Sequence, residues 1–245
     1  MYQHYIEYVE YVVKSNNINN FKSNNVYRDI LEHVSEELGQ QYYKKLITTH
    51  NIKKDVIENF CLYNDKIGSP VKYSIGDLSF PVSPTSLRYL DHAIHTLNHI
   101  KALNLKTINI VEIGCGYGGL LLALDYMSKL YNVKIDSYSC IDLDIITKLQ
   151  TLYISNYNIS FPVTFHSAST FGKTVKNDNL FLVSMYCFSE IETVNQKGYI
   201  ENIIKRINNG IIMWNHCDIF DFGKKIISIQ YEEPLTGNNN KLVLF

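Results

Sequence analysis

Residues 109–119 read Asn-Ile-Val-Glu-Ile-Gly-Cys-Gly-Tyr-Gly-Gly, a buried strand that runs into a glycine turn and opens a helix. Ile108, Ile110, Val111 and Ile113 form the near-continuous apolar run expected of a parallel strand covered on both faces. Gly114, Gly116 and Gly118 lack the Cβ atoms that would block a tight turn and hold a ligand away from the backbone. Leu120 to Leu130 continues as a helix, so the N–H groups at its start can face that ligand. The stretch predicts an open α/β sheet with a nucleotide-type cofactor at the carboxyl ends of its strands.

Two cofactor classes use such a turn. Gly114, Gly116 and Gly119 satisfy the dinucleotide fingerprint, a weak signal by itself. Glu112, two residues before the first glycine, favours S-adenosylmethionine: a pyrophosphate gains nothing from a carboxylate there, whereas the ammonium of a methionyl group can be held by one. The next strand, Val133 to Asp142, ends on an acid placed to accept both ribose hydroxyls. Asp144 competes for that role, but the helical pattern of Ile145, Ile146, Leu149 and Leu152 makes it the better helix cap.

At 245 residues and 46% hydrophobic, the chain can bury a full core. A net charge of −1 and a pI near 6.7 give no global basic field, which argues against nucleic acid as a partner. Cys61, Cys115, Cys140, Cys187 and Cys217 are scattered and have no C-x-x-C spacing, which reads as free thiols in a reducing compartment. The N-terminus has no apolar signal core and no run reaches membrane-spanning length, so a cytoplasmic location is expected.

Residues 1–80 read as a motif-free helical extension, and residues 81–245 as the cofactor-binding domain. Ile6, Val9 and Val13, then Ile30, Val34, Leu38 and Tyr42, recur at helical spacing, with an asparagine-rich loop from Ser15 to Asn25. Ser83 before Pro84 reads as a helix start, followed by Leu87, Leu90, Ile94 and Leu97 on a buried face. His92, His95 and His99 share the other face, within about 60° of one another. With no carboxylate cluster in view, they read as a solvated surface, and no metal is expected. Arg88 and Tyr89, at the helix start, are candidates to grip substrate or the cofactor carboxylate.

Further strands are expected at 161–166, 178–186 and 210–214, and a closing hairpin at 225–231 and 241–245 with an antiparallel last strand. A dehydrogenase would carry a second, substrate domain here, and none is read. After the fourth strand the chain has Met185-Tyr-Cys-Phe-Ser-Glu190, without the Asn/Asp-Pro-Pro-aromatic loop of base-amino methylation. A hydroxyl acceptor, by contrast, needs a general base. Glu190, after the fourth strand, and His216, after the fifth, are the best candidates, with Glu192, Asp218 and His166 weaker.

These segments together resemble the sugar O-methyltransferases of the class I S-adenosylmethionine-dependent methyltransferases. The likeness lies in Glu-Ile-Gly-x-Gly-Tyr-Gly-Gly at 112–119, Ile-Asp-Leu at 141–143 with Leu-Gln at 149–150, Phe-Ser-Glu at 188–190, and Ser-Pro-Thr-Ser-Leu-Arg-Tyr at 83–89. Cys115 departs from the glycine expected at its position. The resemblance implies a Rossmann-like sheet, S-adenosylmethionine as cofactor, and a sugar, nucleotide-sugar or glycan hydroxyl as acceptor. Cofactor contacts are expected from Glu112, Gly114, Cys115, Gly116, Gly118, Asp142, Leu143 and Tyr186, with Ser167 and Ala168 where class I methyltransferases contact the adenine, and substrate contacts from Arg88, Tyr89 and Asp218. RNA or protein as acceptor, an inactive partner subunit, and a homo-oligomer are left open.

Overall fold

The computed structural model describes residues 2–237 and 239–245. Asn238, in the expected hairpin connection, lies outside them. The helices are α1 (Tyr2–Ser15), α2 (Asn25–Arg28), α3 (Glu36–Thr48), α4 (Lys54–Asn64), α5 (Pro84–Ala102), α6 (Gly119–Tyr131), α7 (Asp144–Ile154) and α8 (Thr193–Asn202). The strands are β1 (Ile108–Ile113), β2 (Ile135–Asp142), β3 (Val163–Ser167), β4 (Leu180–Met185), β5 (Asn209–Trp214), β6 (Ser228–Tyr231) and β7 (Lys241–Leu244). The chain divides into two compact units. A helical unit comprises the chain up to His95 with Gly116–Met127 and Lys148–Asn158; a sheet unit comprises Thr96–Cys115, Ser128–Thr147 and Ile159–Phe245.

The sheet has the order β3-β2-β1-β4-β5-β7-β6. Pairs β1–β2, β1–β4, β2–β3 and β4–β5 are parallel, while β7 runs antiparallel to β5 and β6. This is the expected Rossmann-like sheet with an antiparallel last strand. Strand order reverses between β1 and β4, and open α/β sheets bind ligands beyond the carboxyl ends at such a switch point. The strands read as unbroken apolar runs because they are buried on both faces: Leu180 to Ser184 and Gly210 to Trp214 are buried at every position. Trp214, Phe188, Phe222 and Phe245 join Leu182, Ile212 and Val243 in one core. Trp214 and Phe222 alone would bury a few hundred Å² of apolar surface.

The helical unit departs from its sequence pattern in three places. Ile30 and Val34 do not share a helix with Leu38 and Tyr42: α3 starts at Glu36, capped by Ser35 Oγ accepting from the Leu38 amide at 3.2 Å. Within the expected 15–25 loop, Phe21 and Lys22 are fully buried. The Lys22 ammonium donates to the Asn64 carbonyl at 2.8 Å and the Tyr153 hydroxyl at 2.9 Å, 4.1 Å from the centre of the Tyr117 ring. Burial lowers its pKa to about 8. Finally, α5 starts at Pro84 as expected, but Ser83 gives its hydroxyl to Glu32 at 3.1 Å.

The reading of a solvated histidine face on α5 is corrected here. His92 and His99 are buried, His95 is half-buried, and Asp91 beside them is a buried carboxylate. Leu87, Leu90, Ile94 and Leu97 are buried as expected, but so is nearly every other position from Pro84 to Ile100. A helix covered on all sides has no solvent face for a one-sided pattern to reveal. Burial, helped by the Arg88 charge, pushes His92 down to about 3. His99 Nε2 donates to the Phe245 carbonyl at 3.2 Å.

Candidate cofactor and catalytic site

The turn after β1 continues the β1–β2 pairing by one bond, from the Gly114 amide to the Ile141 carbonyl at 3.0 Å. Gly114 has φ +77°, and a Cβ there would lie 2.3 Å from Cys187 Sγ, so both the backbone angle and the close approach demand glycine. Gly116, at φ +54°, and Gly118, at φ +96°, also lie in the left-handed region. Cys115, the departure from the expected glycine, is accommodated with its thiol donating to the Glu112 carbonyl at 3.3 Å.

Asp142 ends β2 half-buried. Its Oδ2 accepts from the Cys115 amide at 2.8 Å and its Oδ1 from the Leu143 amide at 2.9 Å. Turn and acid are therefore locked together, with the carboxylate oriented at the strand end. Asp144 is the first residue of α7, one position inside the expected cap; the Leu143 carbonyl accepts from Thr147 N at 2.9 Å. Glu112 is buried on β1 and accepts from the Tyr138 hydroxyl at 2.8 Å. Burial pushes its carboxyl up to about 8, because that hydroxyl and Cys115 offset the desolvation only in part and Asp142 adds repulsion.

At the end of β3, Ser167 Oγ accepts from the Ser169 amide at 3.2 Å and opens the 3₁₀ turn Ala168–Thr170; Ser167 and Ala168 are both half-buried. His166 is engaged by Thr164 and Thr174. After β4, Tyr186 takes φ +61°, and its hydroxyl bonds the buried Glu232, which also accepts from Asn240 and Thr236. Glu232 carried no sequence signal, since it lies in a hairpin connection far from every motif.

The register Met185↔Met213 makes β4 and β5 end side by side. Ser189 and Asn215 then bond each other: the Asn215 amide donates to Ser189 Oγ at 3.0 Å, and Ser189 Oγ donates to Asn215 Oδ1. That link brings Glu190 and His216 together, with His216 Nε2 3.1 Å from Glu190 Oε1. Asn215 Nδ2 also donates to Glu190. Because a carboxylate accepts, Nε2 carries the proton and Nδ1 is the basic nitrogen of the neutral ring. The pair is open to solvent, His216 at 72% and Glu190 at 43% side-chain exposure. Sequence reasoning offered the two as alternatives; they are partners. Ser189 and Asn215 were missed.

Asp218 is exposed two residues beyond His216. Arg88 and Tyr89 lie inside the helical unit. Arg88 donates to the Leu31 carbonyl at 3.1 Å and meets His33 Nε2 at 3.3 Å, and the Tyr89 ring packs on Gly119 and, edge-on, on Tyr117. No helix among the described residues is long and apolar enough to cross a membrane.

No family model and no curated protein matches the sequence. Among solved structures, the chain is similar to an S-adenosylmethionine-dependent methyltransferase from Clostridium acetobutylicum, at 11% identity over 52% of this chain and 50% of that one, with a TM-score of 0.40. It is also similar to the plantazolicin methyltransferase BpumL in complex with SAH, at 16% identity over 73% of this chain and 58% of that one, TM-score 0.38. A third is M. capricolum TrmK in complex with S-adenosyl-homocysteine, at 13% identity over 60% and 66%, TM-score 0.38. The alignment thus spans half the length of the first and under two thirds of the second.

Proposed function

We propose that the chain binds S-adenosylmethionine at the Gly114 turn and methylates a hydroxyl of a sugar, carried on a nucleotide-sugar or a glycan. The observation that supports the cofactor is the pairing of two carboxylates at the ends of adjacent strands. Asp142 is fixed by the Cys115 and Leu143 amides where a ribose diol can reach it. Glu112 is buried with a hydroxyl partner and no cation among the described residues, so the ammonium of a methionyl group would relieve its desolvation. Bound there, the cofactor would supply an electrophilic methyl group. Leu143, Ser167, Ala168 and Tyr186 are proposed to line its adenosyl end.

The chain's own chemical work falls to His216 and Glu190. A sugar hydroxyl ionises far above neutrality, so a base that takes its proton during transfer is worth about 10²–10⁴ in rate. Glu190 holds the His216 ring by Nε2 and leaves Nδ1 for the acceptor proton. Asp218 is proposed to accept a second sugar hydroxyl. A substrate role for Arg88 would require it to exchange its bonds to Leu31 and His33.

Single-turnover transfer of labelled methyl to a panel of nucleotide-sugars and glycans tests this reading. Label on a sugar oxygen is expected, and label appearing only on RNA or protein overturns the acceptor. A melting temperature raised by NADH and unmoved by S-adenosylmethionine or its demethylated product overturns the cofactor.

A further inference from the structure

The helical unit holds a second histidine–carboxylate group. His50 follows α3, and Asp91 and His95 stand four residues apart on α5, so one helix face carries both. His50 Nε2 lies 2.8 Å from Asp91 Oδ1 and His95 Nε2 lies 3.6 Å from Asp91 Oδ2. The three residues offer ligand atoms all within 4.8 Å of one another. The Lys45 ammonium sits at their focus, 2.9 Å from Asp91 Oδ1 and 2.9 Å from His95 Nε2. An ammonium only donates, so the His95 Nε2 lone pair points at that cation.

We propose that His50, Asp91 and His95 form a zinc-class metal site, in which a divalent cation displaces the Lys45 ammonium and water completes the shell. Two imidazoles and a carboxylate are a donor set zinc takes at about 2.0–2.2 Å, which spaces tetrahedral ligand atoms roughly 3.3 Å apart. The two contacts to Asp91, 2.8 Å at Oδ1 and 3.6 Å at Oδ2, lie on either side of that value, and no pair of ligand atoms is more than 4.8 Å apart. His50 moves its proton from Nε2 to Nδ1 through solvent as the metal binds, so that Nε2 offers its lone pair and the ring stays neutral. Lys45 can swing aside, because its side chain reaches the surface. The metal would clamp α3 and the turn after it onto α5, a structural role that replaces one positive charge at Asp91 with two.

Equilibrium dialysis of the full chain against zinc ions near neutral pH, with bound metal counted by mass spectrometry, tests the site. One zinc per chain is expected. Lys45→Met should bind at least about tenfold tighter, since the competing ammonium is gone, and His95→Gln at least about tenfold weaker. Clearly substoichiometric zinc in both the wild-type chain and Lys45→Met overturns the proposal, and so does undiminished binding by a folded His95→Gln. The Lys45→Met arm reads a gain, so it decides the matter even where His95→Gln fails to fold.

Discussion

Asp91 in the helical unit and Glu112 in the sheet unit are equally buried, each 2% exposed, yet their carboxyls move in opposite directions. Burial is the largest influence on both and disfavours the charged form. At Asp91 the His50 hydrogen bond, His95 and the Lys45 ammonium outweigh it and hold the carboxyl below its usual range. At Glu112 a tyrosine hydroxyl and a thiol do not, and the value climbs to about 8. Depth sets the penalty, and the partners decide whether the charge survives. Asp91 meets the Lys45 ammonium at 2.9 Å, whereas Glu112 has no cation beside it among the described residues.

The largest effect that could break this contrast is Asp91→Ala. Removing one member of a buried ion pair strands the other, and a loss of about 3–5 kcal/mol of unfolding free energy is expected in urea titrations. A loss below about 1 kcal/mol would show that the Lys45–Asp91–His50 group holds nothing together.

Next comes the solvent-open pair, the third environment in the comparison. His216→Asn should lower turnover by about 10² or more, near 2.7 kcal/mol, and leave cofactor affinity almost intact. Full single-turnover activity in both His216→Asn and Glu190→Gln eliminates the proposed base.

Asp142 lies between the extremes, half-buried and tied by amides. Asp142→Ala should weaken S-adenosylmethionine binding by roughly 1.5–3 kcal/mol in calorimetric titration; unchanged affinity would remove it from the ribose.

A pH profile tests the other side of the contrast. Glu112 has a folded value raised above its unfolded one, so the folded chain keeps a proton that the unfolded chain loses. Its contribution to stability is greatest below the unfolded value and is lost as pH rises toward about 8, at up to about 1.4 kcal/mol per pH unit. Glu112→Gln should flatten that decline in melts between about pH 6 and 9, and a wild-type slope retained by the variant would place its cause elsewhere.

The sheet unit was legible because its signals are local. Doubly buried strands read as continuous apolar runs, and the turn that follows β1 needs left-handed backbone and spells its start in glycine at 114. Glu190 and His216 could each be picked out by their place after a strand, but nothing in the sequence said that β4 and β5 end in register, so their contact was hidden. The helical unit resisted for the opposite reason. Lys22 sits in an asparagine-rich stretch that looks like a loop, and His50 is 41 residues from the carboxylate it meets. Burial all round α5 erased the periodicity that would have placed its histidines.

Tyr186 and His216 both hold left-handed backbone, at φ +61° and +63°, at the ends of neighbouring strands. A residue with a Cβ gives up roughly 1–2 kcal/mol in that conformation, and glycine does not. Selection for thermal robustness alone would drift toward glycine at both positions. Such drift would erase the imidazole that meets Glu190 and the phenol that meets Glu232, so backbone ease and side-chain contacts pull against each other at these two residues.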